Sequence, residues 1–367
     1  MSPRPIHWPT TLFLLGLPAL CLITVPFYLY FVGFNPWIWV LSAVLAVVTE
    51  IGITAGYHRL LAHRSYEANP IVKWILMFFA TSAWQGSALR WCRGHRLHHR
   101  HIDHEENDPY AITNGFWYAH MGWMLREDKT PTPRNCPDLE KDRWIVFQDR
   151  HYVALAVFIG FVLPTLLGAA MGDVWGGLLI LGALRVAVTQ QFTYFVNSAA
   201  HRFGKRPYSV EISAKDSFWV AVLTQGEGWH NFHHKFEADY RNGVRWWQWD
   251  PTKWMIFSLS TVGLTRRLRR MPKEEILKAR LHVESLRLKS RGYQQEKLDQ
   301  MRDRIMTSAL RLRQLQTEYK EYKKAKSHEW ELKVNQLRTE LLLAKIELRY
   351  SMAQWRAVLR SPVPVSV

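Results

Sequence analysis

Between Arg4 and Glu50 the 367-residue sequence contains no Lys, Arg, Asp or Glu. An uncharged run of that length has no solvated face, so it does not read as a surface segment of a water-soluble domain. Gly33, Asn35 and Pro36 break it into stretches 10–32 and 37–48, the second extending towards Thr54. Each approaches the roughly 20 residues a helix needs to cross a bilayer. A second pair follows at 152–171 and 174–200, broken by Gly172 and Asp173, with Arg185 as its one internal basic residue. Both intervening turns, 33–36 and 171–175, lack Lys and Arg, whereas nearly all 48 basic residues lie outside the hairpins. By the positive-inside rule this predicts an integral, multi-pass membrane protein with its termini and long connector in the cytosol. Only three cysteines are present, Cys21, Cys92 and Cys136, at spacings that fit neither a zinc knuckle nor a disulfide framework. The net charge of +17 comes with no recognised nucleic-acid motif, so it points to anionic headgroups or an acidic protein partner rather than nucleic acid.

Residues 71–89 are apolar apart from Lys73 and could be counted as a fifth span by length. Crossing would put His58 and His63 on the opposite side from the stretch "HRLHHRHIDH" at 95–104, and would place a basic segment outside. The expected structure is an interfacial or protein-covered helix returning to the cytosolic side. The predicted fold is all-α: four transmembrane helices in two hairpins, with a helical cytosolic cap that holds a histidine-rich dimetal site.

The abundant features are aromatic residues, 18 Trp, 14 Tyr and 17 Phe, which suit a membrane interface or an apolar ligand, and clustered histidine. His58 and His63 are spaced H-x4-H; His95, His98 and His99 form H-x2-HH; His201 closes "NSAAH"; His230, His233 and His234 repeat H-x2-HH. On a helix H-x2-HH brings three imidazoles within an arc of roughly 100°. H-x4-H rotates by roughly 140°, so those rings share a metal only if the helix unwinds near Ala62. His101 and His104 fall outside the repeated triplets and read as supporting or surface residues. Nine imidazoles without a cysteine ligand pattern exceed one four-coordinate zinc site and divide naturally over two metals, which favours a dinuclear iron centre with positions open to water or dioxygen.

The segments "GITAGYHRLLAHRSY" (52–66), "GHRLHHRHID" (94–103), "NSAAHRFGKRPY" (197–208) and "GEGWHNFHH" (226–234) give the sequence its identity. Over about residues 10–260 the chain resembles the membrane-bound fatty acyl desaturases, specifically the Δ9, stearoyl-CoA desaturase-like branch. The resemblance implies that His58, His63, His95, His98, His99, His201, His230, His233 and His234 bind two irons, with Asn197 completing one coordination sphere through water. It also implies an O2-dependent enzyme that inserts a cis double bond into a saturated acyl chain. Gln85, Trp91 and Tyr194 are the acyl-tunnel candidates, and Arg93 matches a headgroup arginine. Gly94 stands where that branch carries an acidic residue, and "AITNGFWYAHMGW" (111–123) lacks its basic pair. Acyl-CoA is therefore the first choice of carrier only narrowly over acyl-lipid or a carrier protein. No b-type cytochrome "HPGG" signature appears, so the two electrons are expected from a separate ferredoxin or b-type cytochrome. Rival readings are a hydroxylase on the same scaffold and a non-enzymatic membrane metal-binding protein.

The expected domains are residues 1–265, the membrane domain with its cap, and 272–361, a C-terminal helical or coiled-coil extension. No Gly or Pro occurs between Tyr293 and Ser361. Leu298, Met301, Ile305, Leu312, Leu315, Tyr319 and Tyr322 keep a 3,4 spacing with Ser308 in the seam. After a slip near Lys324 the series resumes from Trp330 to Trp355, with Ser351 in the seam. A long helix or a pair of helices packed on itself is expected, and the extension either forms homo-oligomers or docks a partner, or folds back on the cytosolic cap.

Overall fold

The structure is a computed structural model that describes residues 5–126, 135–325 and 330–361. Four helices are long and apolar enough to cross a membrane: Trp8–Phe31, Pro36–Ala62, Tyr152–Ala170 and Val174–Arg202. Two of their starts are legible locally. The His7 ring accepts from the Thr10 amide at 3.3 Å, and Asn35 accepts from the Trp37 amide at 3.1 Å just before Pro36, an N-cap followed by proline at the first helical position. Outward side chains such as Leu22, Tyr30 and Phe31 stay exposed, as a lipid-facing surface requires. The third and fourth apolar helices meet at glycine: a Cβ on Gly168 would fall 2.4 Å from the Gly177 Cα, so any side chain there would force them apart.

The second apolar helix runs past the expected Thr54 to Ala62, and from Gly52 onward it is a π-helix. Within the segment expected at 71–89 the first helix is Pro70–Thr81, and only Ala88 and Leu89 are helical again, as the start of the next one. Twelve residues span about 18 Å, too short for a hydrocarbon core of about 30 Å, so this helix does not cross. Chain reversal follows through residues 82–87, with positive φ at Trp84 (58°) and Gly86 (94°). Buried Arg185 covers this irregular backbone, donating to the carbonyls of Ser82 at 2.9 Å, Gly160 at 3.0 Å and Leu181 at 3.0 Å. Bent backbone beside apolar helices is tolerated when protein groups satisfy it in this way. The chain then enters the helix Ala88–His101, capped by Ser87.

Short helices at Phe116–His120, Pro137–Glu140, Arg143–Arg150, Phe218–Leu223 and His230–Lys235, followed by Pro251–Thr261, complete this unit. A two-residue antiparallel ladder pairs Glu67 with Arg266 and Ala68 with Thr265. Cys21, Cys92 and Cys136 are free and buried.

The chain divides into two units, Met1–Arg206 with Glu211–Arg270, and Pro207–Val210 with Met271–Val367. In the second unit the helices Lys273–Lys289, Gln295–Ala325 and Trp330–Arg360 pack on one another. Leu281, Leu288, Leu298, Ile305 and Trp355 form one core cluster, and Leu315, Leu337 and Ala344 a second. The heptad seam is therefore filled within one chain, by a pair of long helices packed on each other. Ser308 and Ser351 are buried in it, and neither hydroxyl has a hydrogen-bond partner among the described residues. The seam position expected at Trp330 lies outside the described side chains.

Candidate metal centre

All nine histidines singled out in the sequence converge. His58, His63, His95, His99 and His233 form one group and His98, His201, His230 and His234 another, with the ligand atoms of each group within 4.8 Å of one another. The facing atoms are Nε2: His58 to His233 at 3.0 Å, His63 to His95 at 2.8 Å, His99 to His233 at 3.0 Å. In the second group His98 approaches His234 at 3.3 Å, His201 approaches His230 at 3.1 Å, and His230 approaches His234 at 3.0 Å.

The H-x4-H pair meets through a change in helical winding, as its spacing requires. The His63 amide donates to the His58 carbonyl at 3.0 Å, an i to i+5 bond. The helix is underwound into π geometry over Gly52–Ala62, and a π-turn returns residue 63 to the side of residue 58. The two ring centroids are 4.7 Å apart. The offset between Asn197 and His201 also differs from a single helical face. The helix ends at Asn197, Ser198 leaves regular geometry at φ −104° and ψ −66°, and His201 sits on the short turn Ala199–Arg202.

Behind the Nε2 faces stand acceptors. Glu227 Oε2 lies 2.9 Å from His58 Nδ1, Asp108 Oδ1 2.8 Å from His98 Nδ1, and Glu237 Oε2 2.9 Å from His99 Nδ1. Ser213 Oγ lies 2.7 Å from His201 Nδ1 and itself donates to Asp103. Acceptors at Nδ1 hold the proton there and leave the Nε2 lone pairs aimed at one another. Bare lone pairs about 3 Å apart repel, and a cation between them removes the repulsion. The all-imidazole donor set suits a borderline transition metal such as iron. The residues present therefore fit two metal ions.

Burial pushes His63, His95, His230, His233 and His234 well below the ordinary imidazole pKa. Burial also lowers His99 to about 4, against the opposing pull of Glu237. Neutral rings are the form that binds metal. Burial alone would raise Glu227, yet His58 and Arg59 beside it hold its carboxyl down at about 2. Arg59 is itself buried, bonded to Glu227 at 2.9 Å and to Asp250 at 3.0 Å.

Sequence reading missed these carboxylates. A signal existed for two: Glu227 precedes His230 by three residues and Glu237 follows His234 by three. Asp108, ten residues beyond His98 across a turn, carried none. A further buried histidine, His120, belongs to neither group; its Nδ1 lies 2.9 Å from Ser198 Oγ and its Nε2 3.0 Å from Gln191 Oε1. His101 and His104 stay outside both groups, and His104 is exposed.

Of the substrate candidates, Trp91 stacks on the His95 ring at 4.7 Å. Gln85 donates to Thr193 at 2.7 Å, and Tyr194, the next residue, is buried. Arg93 is engaged elsewhere, in an ion pair with Glu140 at 2.7 Å.

The model of the fatty acid desaturase family matches residues 34–261. Fission yeast (Schizosaccharomyces pombe) has a probable acyl-CoA desaturase 37% identical over 282 residues, covering 75% of this chain and 57% of that protein. Acyl-CoA desaturase 1 of Saccharomyces cerevisiae is 40% identical over 257 residues, covering 68% and 50%. The chain thus spans 57% and 50% of the length of these two relatives. The sn-1 stearoyl-lipid 9-desaturase of Anabaena variabilis is 34% identical over 280 residues, covering 75% of this chain and 98% of that protein. Apolar helices, paired histidine groups and these similarities agree: the chain is an integral membrane protein of the fatty acid desaturase family.

Proposed function

We propose that the protein is an O2-dependent fatty acyl desaturase that inserts a cis double bond, at Δ9, into a saturated chain carried on CoA or lipid. The observation that carries this reading is the pair of histidine groups whose ligand atoms converge while the Nδ1 atoms of His58, His98, His99 and His201 face acceptors. One iron would be held by His58, His63, His95, His99 and His233. The other would be held by His98, His201, His230 and His234, with Asn197 through water completing this smaller set. The chemistry such a pair supplies is activation of dioxygen with two electrons, enough to remove hydrogen from two adjacent unactivated methylenes. Glu227, Asp108, Glu237 and Ser213 keep the His58, His98, His99 and His201 rings in the Nδ1–H tautomer and fix their orientation. Trp91 packs against the first group, where it can press the acyl chain towards the metals, and burial of the ligands excludes water.

In this reading Gln85, Trp91 and Tyr194 line the acyl tunnel. Arg93 meets the substrate headgroup by exchanging its ion pair with Glu140 for the headgroup's negative charge. Two hairpins hold a cytosolic cap over residues 1–265, the termini and active site face the cytosol, and residues 272–361 form a separate extension that offers a surface for self-association. A separate ferredoxin or b-type cytochrome supplies the electrons, docking on the basic cytosolic face.

The test is gas-chromatographic analysis of total fatty acids, with double bonds mapped, in a desaturase-deficient host expressing the wild type or His98→Ala. New monounsaturated chains that vanish in the variant support the reading. Hydroxylated chains in their place would assign a hydroxylase.

A further inference from the structure

The helix Trp330–Arg360 buries Leu337, Ala344, Ser351 and Trp355 in its seam with the chain's other helices. It carries a second series with the same alternation: Leu343, Ile346, Tyr350, Ala353 and Ala357 are spaced three, four, three and four. All five are exposed, Leu343 by 60%, Ile346 by 53% and Tyr350 by 56%. Ile346 lies two residues from Ala344 and from Leu348, roughly 200° round the helix, so this series faces away from the seam. Leu342, 59% exposed, widens it. A contiguous apolar stripe on the outside of a charged helix marks a contact surface.

Charge beside the stripe is sorted by sign. From Arg338 to Arg356 every basic residue, Arg338, Lys345, Arg349 and Arg356, falls on one flank by helical periodicity, and both acidic residues, Glu340 and Glu347, on the other. The ion pairs of this unit, Arg280 with Glu284, Arg302 with Asp299 and Arg313 with Glu274, include none of these six among the described residues. Lys345 and Arg349, four residues apart, repel rather than pair. Counter-charge has to come from outside the helix.

We infer that this face joins two copies of the chain as a parallel pair of helices in register about Leu343, Ile346 and Tyr350. The inference rests on the self-association offered above, for which it names the surface and the partner, and is independent of the desaturase reading. In a parallel pair the basic flank of one helix meets the acidic flank of the other on both sides of the two-fold axis. Glu347 then lies two residues, about 3 Å of rise, from the levels of the other copy's Lys345 and Arg349, and Glu340 the same from its Arg338. An antiparallel pair would set basic flank on basic and acidic on acidic. A lipid surface would attract the basic flank but bring Glu340 and Glu347 to the same headgroups.

The experiment uses the full-length protein in host membranes. The three native cysteines are buried, so Ile346→Cys supplies the thiol that a short bis-maleimide can reach. In a parallel pair the two introduced thiols share one level, and a crosslinked dimer is expected on a denaturing gel, absent from the wild type. Adding Glu347→Lys should cut its yield by about tenfold at low salt, since each dimer loses two pairs. Further exchange of Lys345→Glu and Arg349→Glu should restore it. Should Ile346→Cys fail to accumulate, Leu343→Cys takes its place. A crosslink indifferent to these charges overturns the inference. A wild type that light scattering finds dimeric, with no crosslink at this face, also overturns it and leaves self-association standing. A monomeric wild type removes both, whatever its fatty acid products. A fluorophore on Ile346→Cys quenched by brominated acyl chains in single-copy nanodiscs would assign the face to the bilayer instead.

Discussion

Glu227 and His58 meet at 2.9 Å with both side chains buried, and the same carboxylate takes the Arg59 guanidinium. One acid thus sets the tautomer of a ligand and neutralises the cation next to it in sequence. Glu227→Gln should lower metal affinity by about 10- to 100-fold, as loss of a partner behind a ligating histidine usually does. Glu227→Ala should in addition cost about 3–5 kcal/mol by leaving a buried charge short of its partner. Iron titration and thermal unfolding check the pair, and unchanged iron binding in Glu227→Gln would sink the assignment.

Gly52 opens the π-helix with no room for a side chain. Its Cβ would lie 2.6 Å from the Ala80 amide nitrogen and 3.0 Å from the Leu76 carbonyl oxygen, both backbone. Gly52→Ala should cost about 1–3 kcal/mol through overpacking against the Pro70–Thr81 helix. Because His58 and His63 ride on that π-segment, iron content should fall with the melting temperature. A variant with wild-type stability and metal would show the helices separate freely.

Acid should destabilise the metal-free protein. The His99 pKa is about 4 when folded, against 6.5 for an exposed imidazole. The unfolded chain therefore takes up protons that the folded chain refuses, so stability is complete above pH 6.5 and falls progressively as pH drops towards 4. For His99 the loss is on the order of 3 kcal/mol, and the other buried rings act in the same direction. Melting temperature against pH on the metal-free protein checks this; a flat profile from pH 7 to pH 4 would mean the rings are hydrated.

Trp355 anchors the C-terminal unit. It is fully buried, and its indole N–H donates to Glu284 at 2.6 Å. Trp355→Ala should cost about 3–5 kcal/mol, read as loss of hydrogen-exchange protection over residues 273–360. Iron content should stay at the wild-type level if the two units fold separately, and its loss would join them energetically.

How much was legible follows from where each signal lives. Three of the four apolar helices were readable to within two residues, and the start of the second as well, because hydropathy and capping are properties of neighbours: Asn35 before Pro36 marks a helix start without tertiary help. The end of that helix at Ala62, by contrast, lies eight residues past the expected Thr54. The histidine set was readable because H-x2-HH places its rings through helical periodicity alone. The same periodicity could say only that His58 and His63 meet if the helix changes its winding; the π-helix over Gly52–Ala62 that brings them together leaves no trace in a local pattern. It also ran one helix from Asn197 through His201, where the chain breaks at Ser198. The heptad seam was legible in the tail, and spacing left open a single long helix or a pair packed on itself; packing of Gln295–Ala325 on Trp330–Arg360 decided for the pair.

The sequence by itself determined the membrane character, the nine imidazoles and the family, because these rest on residue type and short-range spacing. Tertiary structure alone decided the division into groups of five and four and the carboxylates behind them. His98 reaches His234 across 136 residues. Contacts at such separation depend on how helices pack, and packing is settled by the whole core.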